Sequence, residues 1–283
     1  MKLIKIETGN VKMDGGAMFG VVPKMLWNKV YPADKNNMCN LSMRCLLIDT
    51  GERKILIDTG IGNKQSEKFF SYYYLNGDDS LDKSLKNNGY SHEDITDVVL
   101  THLHFDHCGG AVSKRTENTY EPTFRNARYW ISKPQWEWAM KPNQREKASF
   151  LKENMLPLEE SGQLHFIGND EEFPDNIEFI FTDGHTQGLT VPVIHYNGKK
   201  LVYVTDFIPT SAHVAASWVC GYDTQPLKSF EERNAFLKEA AENRYVLFFE
   251  HDIFTECCTV HQTEKGIRLE KSFTFQDFLN GNY

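Results

Sequence analysis

Apolar positions along the chain form short runs with the alternating or continuous spacing of β-strands. Two such runs, residues 43–49 and 54–58, flank the turn residues 50–53 and predict a hairpin. Further strands are predicted at residues 95–101, 177–181, 192–196, 200–205 and 245–249.

Stretches with helical spacing lie between these runs. Leu81 and Leu85 are four residues apart, and Gly89 stands where a helix would stop. Ser132 is placed as the N-cap of a second helix, just before Pro134. Two more helices are predicted at residues 144–154 and 230–243. Because strand–helix–strand units occur in both halves, the pattern predicts an α/β chain with two packed sheets and helices outside.

Residues 11–40 follow neither period and combine methionines and aromatic residues with glycines and prolines. Core filling is the ordinary explanation for such residues, and Phe19 and Trp27 are examples. An apolar segment without periodicity is also typical of a lid or a substrate wall. Both interpretations stay open from the sequence.

Composition narrows the functional classes. A chain of 283 residues without a low-complexity linker is expected to form a single domain over residues 1–283. The net charge of −8 argues against a nucleic-acid partner, which would require a basic face. The sequence shows neither a secretory run nor the roughly 18 apolar residues of a membrane span, and its six cysteines form no CxxC pair. We therefore expect a cytoplasmic protein with no membrane partner, and a homodimer stays open.

The stretch THLHFDHCGG, residues 101–110, carries the most concentrated chemistry in the chain. It places His102, His104, Asp106 and His107 directly after an apolar strand. Three imidazoles and a carboxylate at a buried strand end would be costly without a positive partner, and a metal ion is the obvious one. His102 and His104 point to the same side of an extended chain, so they can bind one ion together.

Metal-binding side chains follow three other predicted strands as well. His185 follows the strand at 177–181, Asp206 follows the strand at 200–205, and His251 follows the strand at 245–249. Asp206 has two oxygens and can bridge two ions. Imidazole and carboxylate ligands suit borderline divalent metals, zinc first, with iron, manganese or cobalt as alternatives. The predicted ligands of two ions are His102, His104, Asp106, His107, His185, Asp206 and His251.

With these residues in place, the chain resembles the metallo-β-lactamase superfamily. The matching segments are LIDTG at 56–60, THLHFDH at 101–107 and GHTQG at 184–188, followed by Asp206 and His251 in family order. The resemblance implies the four-layer αββα fold, in which two mixed sheets pack together with helices outside. It also implies a dinuclear metal site. Within the superfamily, the chain looks most like the quorum-quenching N-acyl-homoserine lactonase branch. Three features carry this resemblance: the sequence HFDHCGG, the short tail after His251 and the loop DGGAMFGVVPK at 14–24.

The resemblance also implies roles for residues around the ligands. Asp58 of LIDTG is expected to support a metal-binding histidine by accepting its other N–H. Related lactonases often carry a tyrosine shortly after the bridging aspartate, but residues 207–212 contain none. This departure leaves the oxyanion donor open. His213 is a candidate catalytic residue that could contact substrate or donate to the oxyanion, and a structural histidine is the competing interpretation.

The expected reaction is the opening of a lactone ring by a hydroxide that bridges the two ions. One ion would polarise the carbonyl, so that the oxyanion develops against fixed positive charge. The other would stabilise the alkoxide leaving group. Asp106 is expected to protonate that alkoxide and is, with His213, one of the two candidate catalytic residues. The substrate is predicted to be a small ester or lactone, with N-acyl-homoserine lactones first. Other esters, thioesters and phosphotriesters are the alternatives.

Several relatives of the fold fit the sequence less well. Most β-lactamases with this first cluster have a cysteine where Asp206 stands, and flavin-partnered di-iron oxidoreductases have Glu where His104 stands. Glyoxalase-type thioesterases usually add a helical C-terminal domain, whereas only 32 residues follow His251. RNA-processing nucleases have basic patches that a −8 chain does not suggest. A non-catalytic metal-binding protein would be expected to have lost a ligand, and all seven are present.

Overall fold

The computed structural model describes residues 1–116, 119–168 and 173–283. Backbone contacts divide the chain into two compact units. Unit 1 comprises Met1–Val11 and Met43–Glu171, and unit 2 comprises Lys12–Ser42 and Glu172–Tyr283. The single-domain organisation expected for residues 1–283 stays a prediction.

Strands account for much of the regular structure in these described ranges. They are β1 (Lys2–Asp14), β2 (Met38–Asp49), β3 (Lys54–Ile57), β4 (Asp97–Val99), β5 (Val112–Thr116), β6 (Thr119–Pro122), β7 (Arg128–Ser132), β8 (Leu164–Ile167), β9 (Ile177–Thr182), β10 (Leu189–Tyr196), β11 (Lys199–Tyr203), β12 (Val246–Phe248), β13 (Cys257–Thr263) and β14 (Gly266–Phe273).

Helices connect or flank the strands, and most of them are short. They are α1 (Gly15–Met18), α2 (Lys24–Trp27), α3 (Glu67–Tyr73), α4 (Leu81–Asn87), α5 (Phe105–Cys108), α6 (Lys133–Met140), α7 (Lys152–Glu160), α8 (Pro226–Asn243) and α9 (Phe275–Asn280). Among the residues that the structure describes, no helix combines the length and the apolar character that a membrane span requires.

The first mixed sheet has the strand order β1-β2-β3-β4-β7-β8. β2 and β3 form the predicted antiparallel hairpin, and β3, β4, β7 and β8 are parallel neighbours. β4 is buried along its whole length, as expected for a strand in the parallel part of a sheet covered on both faces. The THLHFDH segment therefore begins at the carboxyl end of a buried strand.

The second mixed sheet has the order β14-β13-β12-β11-β10-β9. β11 and β12 are parallel, and β10 is antiparallel to both of its neighbours, β9 and β11. Strands β9, β11 and β12 consequently run in one direction, and their carboxyl ends meet at the same edge of the sheet. The residues that follow these three strands are the predicted ligands of unit 2.

Each unit has its own hydrophobic core. In unit 1 the core joins β-strand residues such as Leu47 and Val98 to Leu85 of α4 and Leu158 of α7. In unit 2 the core joins the sheet to Phe236, Leu237 and Ala240 on one face of α8. The mixed sheets with flanking helices confirm the α/β class predicted from the sequence.

The N-cap predicted at Ser132 is confirmed, and one predicted helix is wrong. Ser132 accepts a hydrogen bond from the backbone N–H of Gln135, and Ser80, which was not predicted as an N-cap, accepts one from that of Lys83. The helix predicted at 144–154 begins only at Lys152. The side chain of Asn143 accepts hydrogen bonds from the backbone of the next residues, and such local bonds compete with helix formation.

The irregular segment predicted at residues 11–40 is also partly wrong. β1 continues to Asp14 and β2 begins at Met38, so strands enter and leave the segment. Between them lie α1 and α2, each a single turn. Tertiary packing supplies the order that the apolar pattern did not show.

The strand that leads to the histidines depends on a buried carboxylate, Asp97. Its side chain accepts two hydrogen bonds from Arg53, at 2.8 and 2.6 Å, and one from the indole of Trp130 at 2.9 Å. Burial opposes ionisation, but the bonds to Arg53, Thr96 and Trp130 outweigh it and hold the pKa of Asp97 below its ordinary value. The carboxylate is therefore ionised, and the positive charge of Arg53 compensates its negative charge.

We expect Asp97→Asn to lower the free energy of unfolding at pH 7 by about 3 kcal/mol, because it removes one partner of a buried ion pair. The folded pKa is depressed, so this contribution is complete well above the unfolded pKa of about 3.9 and is lost as the pH falls through the folded pKa. Urea unfolding at pH 7 and below pH 4 should show the difference shrinking in acid. Asp78→Asn, at an exposed position, is the control and should change stability by less than about 0.5 kcal/mol. A constant difference across this pH range would contradict the assignment.

Candidate metal centre

The four predicted ligands of unit 1 lie on the chain directly after β4, and all four are buried. His102 and His104 precede the single turn of α5, and Asp106 and His107 lie within it. The following Gly109 allows this tight packing, because a Cβ atom there would lie 2.1 Å from the carbonyl oxygen of Ile61. The close approach of two backbone segments explains the glycine pair in the motif.

His102 and His104 direct ring nitrogens at each other. The distance from Nε2 of His102 to Nδ1 of His104 is 3.0 Å. The other nitrogens have oxygen partners: Nδ1 of His102 lies 3.2 Å from the hydroxyl of Thr101, and Nε2 of His104 lies 2.9 Å from the carboxylate of Glu146. Because a neutral imidazole carries one N–H, each ring places its proton toward its oxygen partner. The two facing nitrogens then both present lone pairs.

Asp58 orients this cluster. One oxygen accepts the backbone N–H of Thr101 at 2.8 Å, and the other accepts the hydroxyl of Thr101 at 2.7 Å. The same second oxygen lies 3.2 Å from Nδ1 of His107. Since Asp58 takes the Nδ1–H of His107, the Nε2 lone pair of that ring is left toward Asp106, whose carboxylate oxygen is 3.9 Å away. This is the supporting role that the sequence resemblance implied for Asp58.

In unit 2, Asp206 lies between two histidines. Its Oδ2 atom is 3.0 Å from Nε2 of His185, and its Oδ1 atom is 3.0 Å from Nε2 of His251. Each oxygen of this carboxylate thus contacts a different imidazole, which is the arrangement expected of a bridging ligand. The preceding residue, Thr205, has φ +41°, which is unusual for a β-branched residue and is a form of strain that clusters at functional sites.

The outer nitrogens of these two histidines also have acceptors. Nδ1 of His185 lies 2.9 Å from a carboxylate oxygen of Asp223, and Nδ1 of His251 lies 2.8 Å from the backbone carbonyl oxygen of Ser42. Burial lowers the pKa of His185, but the carboxylates of Asp206 and Asp223 outweigh it and raise the pKa to about 10. A proton therefore occupies the space between His185 and Asp206 unless another cation does.

This donor set fits divalent metal ions. When these histidines are neutral and carry their protons on the outer nitrogens, each inner nitrogen faces another acceptor at 3.0 Å in a buried setting. Two lone pairs at that distance repel, whereas a cation placed against both converts the repulsion into attraction. Imidazole and carboxylate are ligands that zinc and its neighbours in the first transition series accept. The oxygen partners behind the rings complete the fit, because they fix the tautomer that a ligand requires.

His213 is buried away from solvent. Its Nε2 atom lies 2.9 Å from the carbonyl oxygen of Met18, and its Nδ1 atom lies 2.8 Å from the hydroxyl of Thr210. The ring stacks on Phe19 with centroids 4.9 Å apart and planes 7° apart. Burial and the charge of Arg233 lower the pKa of His213 to about 4. The geometry is that of a neutral histidine with two satisfied nitrogens, and its catalytic role stays a prediction.

Phe19 and Trp27 are core residues of unit 2, with exposed fractions of 0% and 1%. Their rings stack on each other at 5.0 Å. The core-filling interpretation of these residues therefore applies, and they do not form a surface wall. Other apolar residues of the same segment, Val21 and Met25, are exposed.

Sequence reasoning missed Glu146 and Asp223, the carboxylates behind His104 and His185. Glu146 also accepts the indole N–H of Trp138 at 2.7 Å. Neither carboxylate belongs to a motif or follows a predicted strand, so nothing in the local pattern marks it. Cys108, which follows the predicted ligand His107, is a buried thiol whose pKa burial raises to about 12, in agreement with a packing role.

Comparison with known proteins assigns the chain to a family. The model of the metallo-beta-lactamase superfamily matches residues 44–251, which are more than half of the chain. The chain belongs to the metallo-β-lactamase superfamily. The match ends at His251 and spans all seven predicted ligands.

Individual proteins are similar over most of the chain. An N-acyl homoserine lactonase of Bacillus cereus is 28% identical over 246 residues, which cover 82% of this chain and 87% of the relative. A probable metal-dependent hydrolase from Staphylococcus aureus has a TM-score of 0.85 and 31% identity, with 96% and 98% of the two chains covered. AidC, a dizinc quorum-quenching lactonase solved with a product, has a TM-score of 0.79 and 25% identity over 96% of this chain and 95% of its own.

These similarities confirm three predictions from the sequence. The chain has the metallo-β-lactamase fold, and its curated relatives are N-acyl homoserine lactonases. Its enzyme class is that of a metal-dependent hydrolase acting on ester bonds. The ligand assignment residue by residue stays a prediction that the geometry within each unit supports.

Because both nitrogens of His213 are satisfied within unit 2, we expect His213→Gln, which retains a donor toward the Met18 carbonyl, to keep kcat within about tenfold of the unchanged protein. His213→Phe keeps the stack but leaves a buried carbonyl unsatisfied, so it should lower the free energy of unfolding by about 1–3 kcal/mol. Steady-state kinetics and thermal unfolding measure the two effects. Asp106→Asn serves as the catalytic reference. A fall in kcat of a hundredfold or more in His213→Gln, with stability unchanged, would show that His213 is catalytic.

Proposed function

We propose that this enzyme opens lactone rings, with N-acyl-homoserine lactones as its substrates, by means of two zinc ions. The observation that carries the proposal is the set of facing acceptors: His102 with His104 in unit 1, and Asp206 with His185 and His251 in unit 2. The similarity to N-acyl homoserine lactonases supports the choice of substrate.

The ligand assignment is part of the proposal. His102, His104 and His185 would serve one ion, Asp106, His107 and His251 the other, and Asp206 would bridge them. When bound, two divalent ions supply a Lewis acid for the carbonyl oxygen and an activated water near neutral pH. Iron, manganese or cobalt could occupy the same ligands, because affinity order alone does not select the metal in a cell.

Asp106 is the proposed proton carrier. Its carboxylate is buried, and its Oδ2 atom lies 3.9 Å from the Nε2 atom of His107. This separation leaves Asp106 Oδ2 outside hydrogen-bond distance of the ring. Because a carboxylate can act as a general base and then as a general acid, we propose that Asp106 takes a proton from the attacking water and returns it to the alkoxide oxygen as the ring opens.

Aromatic rings beside Asp106 offer a surface for the substrate. Phe105 packs against Tyr73 and Phe69, with ring centroids 4.6 and 5.3 Å away. Burial and the charge of Asp106 raise the pKa of Tyr73 to about 12, so its phenol stays protonated at neutral pH. We propose that Tyr73 donates a hydrogen bond to a substrate oxygen. It would thereby serve as the oxyanion donor, a role for which residues 207–212 offer no tyrosine.

A hydrolysis panel on the zinc-loaded protein tests the function. We expect kcat/KM to be higher for homoserine lactones than for an aryl ester, a glutathione thioester, a phosphotriester or a β-lactam. Within the lactones, kcat/KM should rise by up to about fourfold for each added methylene until the pocket ends, since each buried methylene contributes about 0.8 kcal/mol. Protein stripped of metal by a chelator is the control. If the protein hydrolyses esters or phosphotriesters rapidly but no lactone, the lactonase assignment is excluded. That result would not contradict the proposed metal centre.

Removal of the bridging charge tests the centre itself. Asp206→Asn keeps the size of the side chain but leaves His185 and His251 without a shared carboxylate. We expect it to bind fewer than two zinc ions by elemental analysis and to lose at least about a hundredfold in kcat. Asp78→Asn is the control, since it makes the same chemical change at an exposed aspartate and should keep zinc content and kcat unchanged. Full zinc content and near-normal activity in Asp206→Asn would mean that the bridge is misplaced.

A further inference from the structure

Behind His185 lies a second buried ion pair that the catalytic proposal does not use. Asp223 accepts the Nδ1–H of His185 with one oxygen, and its other oxygen lies 3.4 Å from a guanidinium nitrogen of Arg233. Arg233 is on α8 and is 1% exposed. Unit 2 thus contains a continuous series of charges and donors from Arg233 through Asp223 to His185.

Arg233 also holds the chain that carries Asp206. Its Nε atom donates to the backbone carbonyl of Phe207 at 2.9 Å, one residue after Asp206. Its Nη1 atom donates to the carbonyl of Trp218 at 3.0 Å. The planar guanidinium presents its donors in a rigid fork. One side chain therefore fixes the backbone beside one predicted ligand and the carboxylate behind another.

The burial of this arginine needs a specific reason, because removing a guanidinium from water carries a large desolvation penalty. Asp223 supplies the counter-charge. One oxygen of Asp223 lies 2.9 Å from Nδ1 of His185, and the other lies 3.4 Å from the guanidinium of Arg233. With the Nδ1–H of His185 directed at Asp223, the Nε2 atom of that ring is the one that faces Asp206.

We propose that Arg233 is a positioning residue that aligns His185, through Asp223, and Asp206, through the Phe207 carbonyl, for one metal ion. The inference rests on the proposed function, in which His185 and Asp206 bind metal. Arg233 acts through these groups and does not contact substrate. Loss of a residue that orients a ligand typically lowers metal affinity by about 10–100-fold, and the ion beside His185 should be the one affected.

The experiment measures zinc affinity by competition with a chromogenic chelator, together with thermal unfolding of the metal-free protein. Arg233→Met should weaken the binding of the zinc ion beside His185 by about 10–100-fold. The other ion shares only Asp206 with this arrangement, so its affinity should fall less. Arg233→Lys keeps the charge but cannot reach all three acceptors, so it should lie between Arg233→Met and the unchanged protein. In the double variant Arg233→Met/Asp223→Asn, the loss should be smaller than the sum of the two single losses, because both residues act through His185.

Arg44→Met is the matched control. Arg44 is another buried arginine with a carboxylate partner, Glu7 at 3.0 Å, and it lies in unit 1, whereas Arg233, His185 and Asp206 lie in unit 2. It should lower the melting temperature but leave zinc affinity unchanged. Equal zinc affinity in Arg233→Met and the unchanged protein would overturn the inference, and so would an equal loss of affinity in Arg44→Met. Failure of the unchanged protein to bind zinc would instead overturn the proposed function.

Discussion

The chemistry of this protein depends on one unfavourable arrangement: hydrogen-bond acceptors that face each other in buried surroundings. His102 faces His104, and Asp206 faces both His185 and His251, all at 3.0 Å. Such an arrangement is stable only when a positive charge lies between the lone pairs. A proton can supply one positive charge between two acceptors. A divalent ion supplies two charges and can bind several ligands at once.

Partners behind the rings maintain this arrangement. Asp58, Glu146 and Asp223 accept N–H groups on the far side of the histidines, and the carbonyl of Ser42 does the same for His251. Each partner decides which nitrogen carries the proton and which presents a lone pair. The tautomers are thus fixed by the protein before any ion binds, which reduces the reorganisation that binding requires.

The fold supplies the ligands but does not select the substrate, because the same architecture supports many activities. Selection depends on the residues that surround the ligands. Here these include the aromatic group of Phe69, Tyr73 and Phe105 in unit 1. In unit 2, the buried stack of Trp27, Phe19 and His213 holds the segment between β1 and β2. The stack makes this segment part of the core, whereas its composition alone also suggested a lid.

The sequence by itself determined the strand ends, the candidate ligands and the superfamily, because these depend on spacing within short segments. The residues from His102 to His107 are neighbours along the chain, and the parallel strands β11 and β12 bring Asp206 and His251 to one sheet edge. Apart from Asp58, the residues that orient the ligands were identified only by the tertiary structure. Glu146 is 42 residues from His104, Asp223 is 38 from His185, and Ser42 is 209 from His251. Contacts at such separations leave no local pattern, because folding alone brings these groups within hydrogen-bond distance.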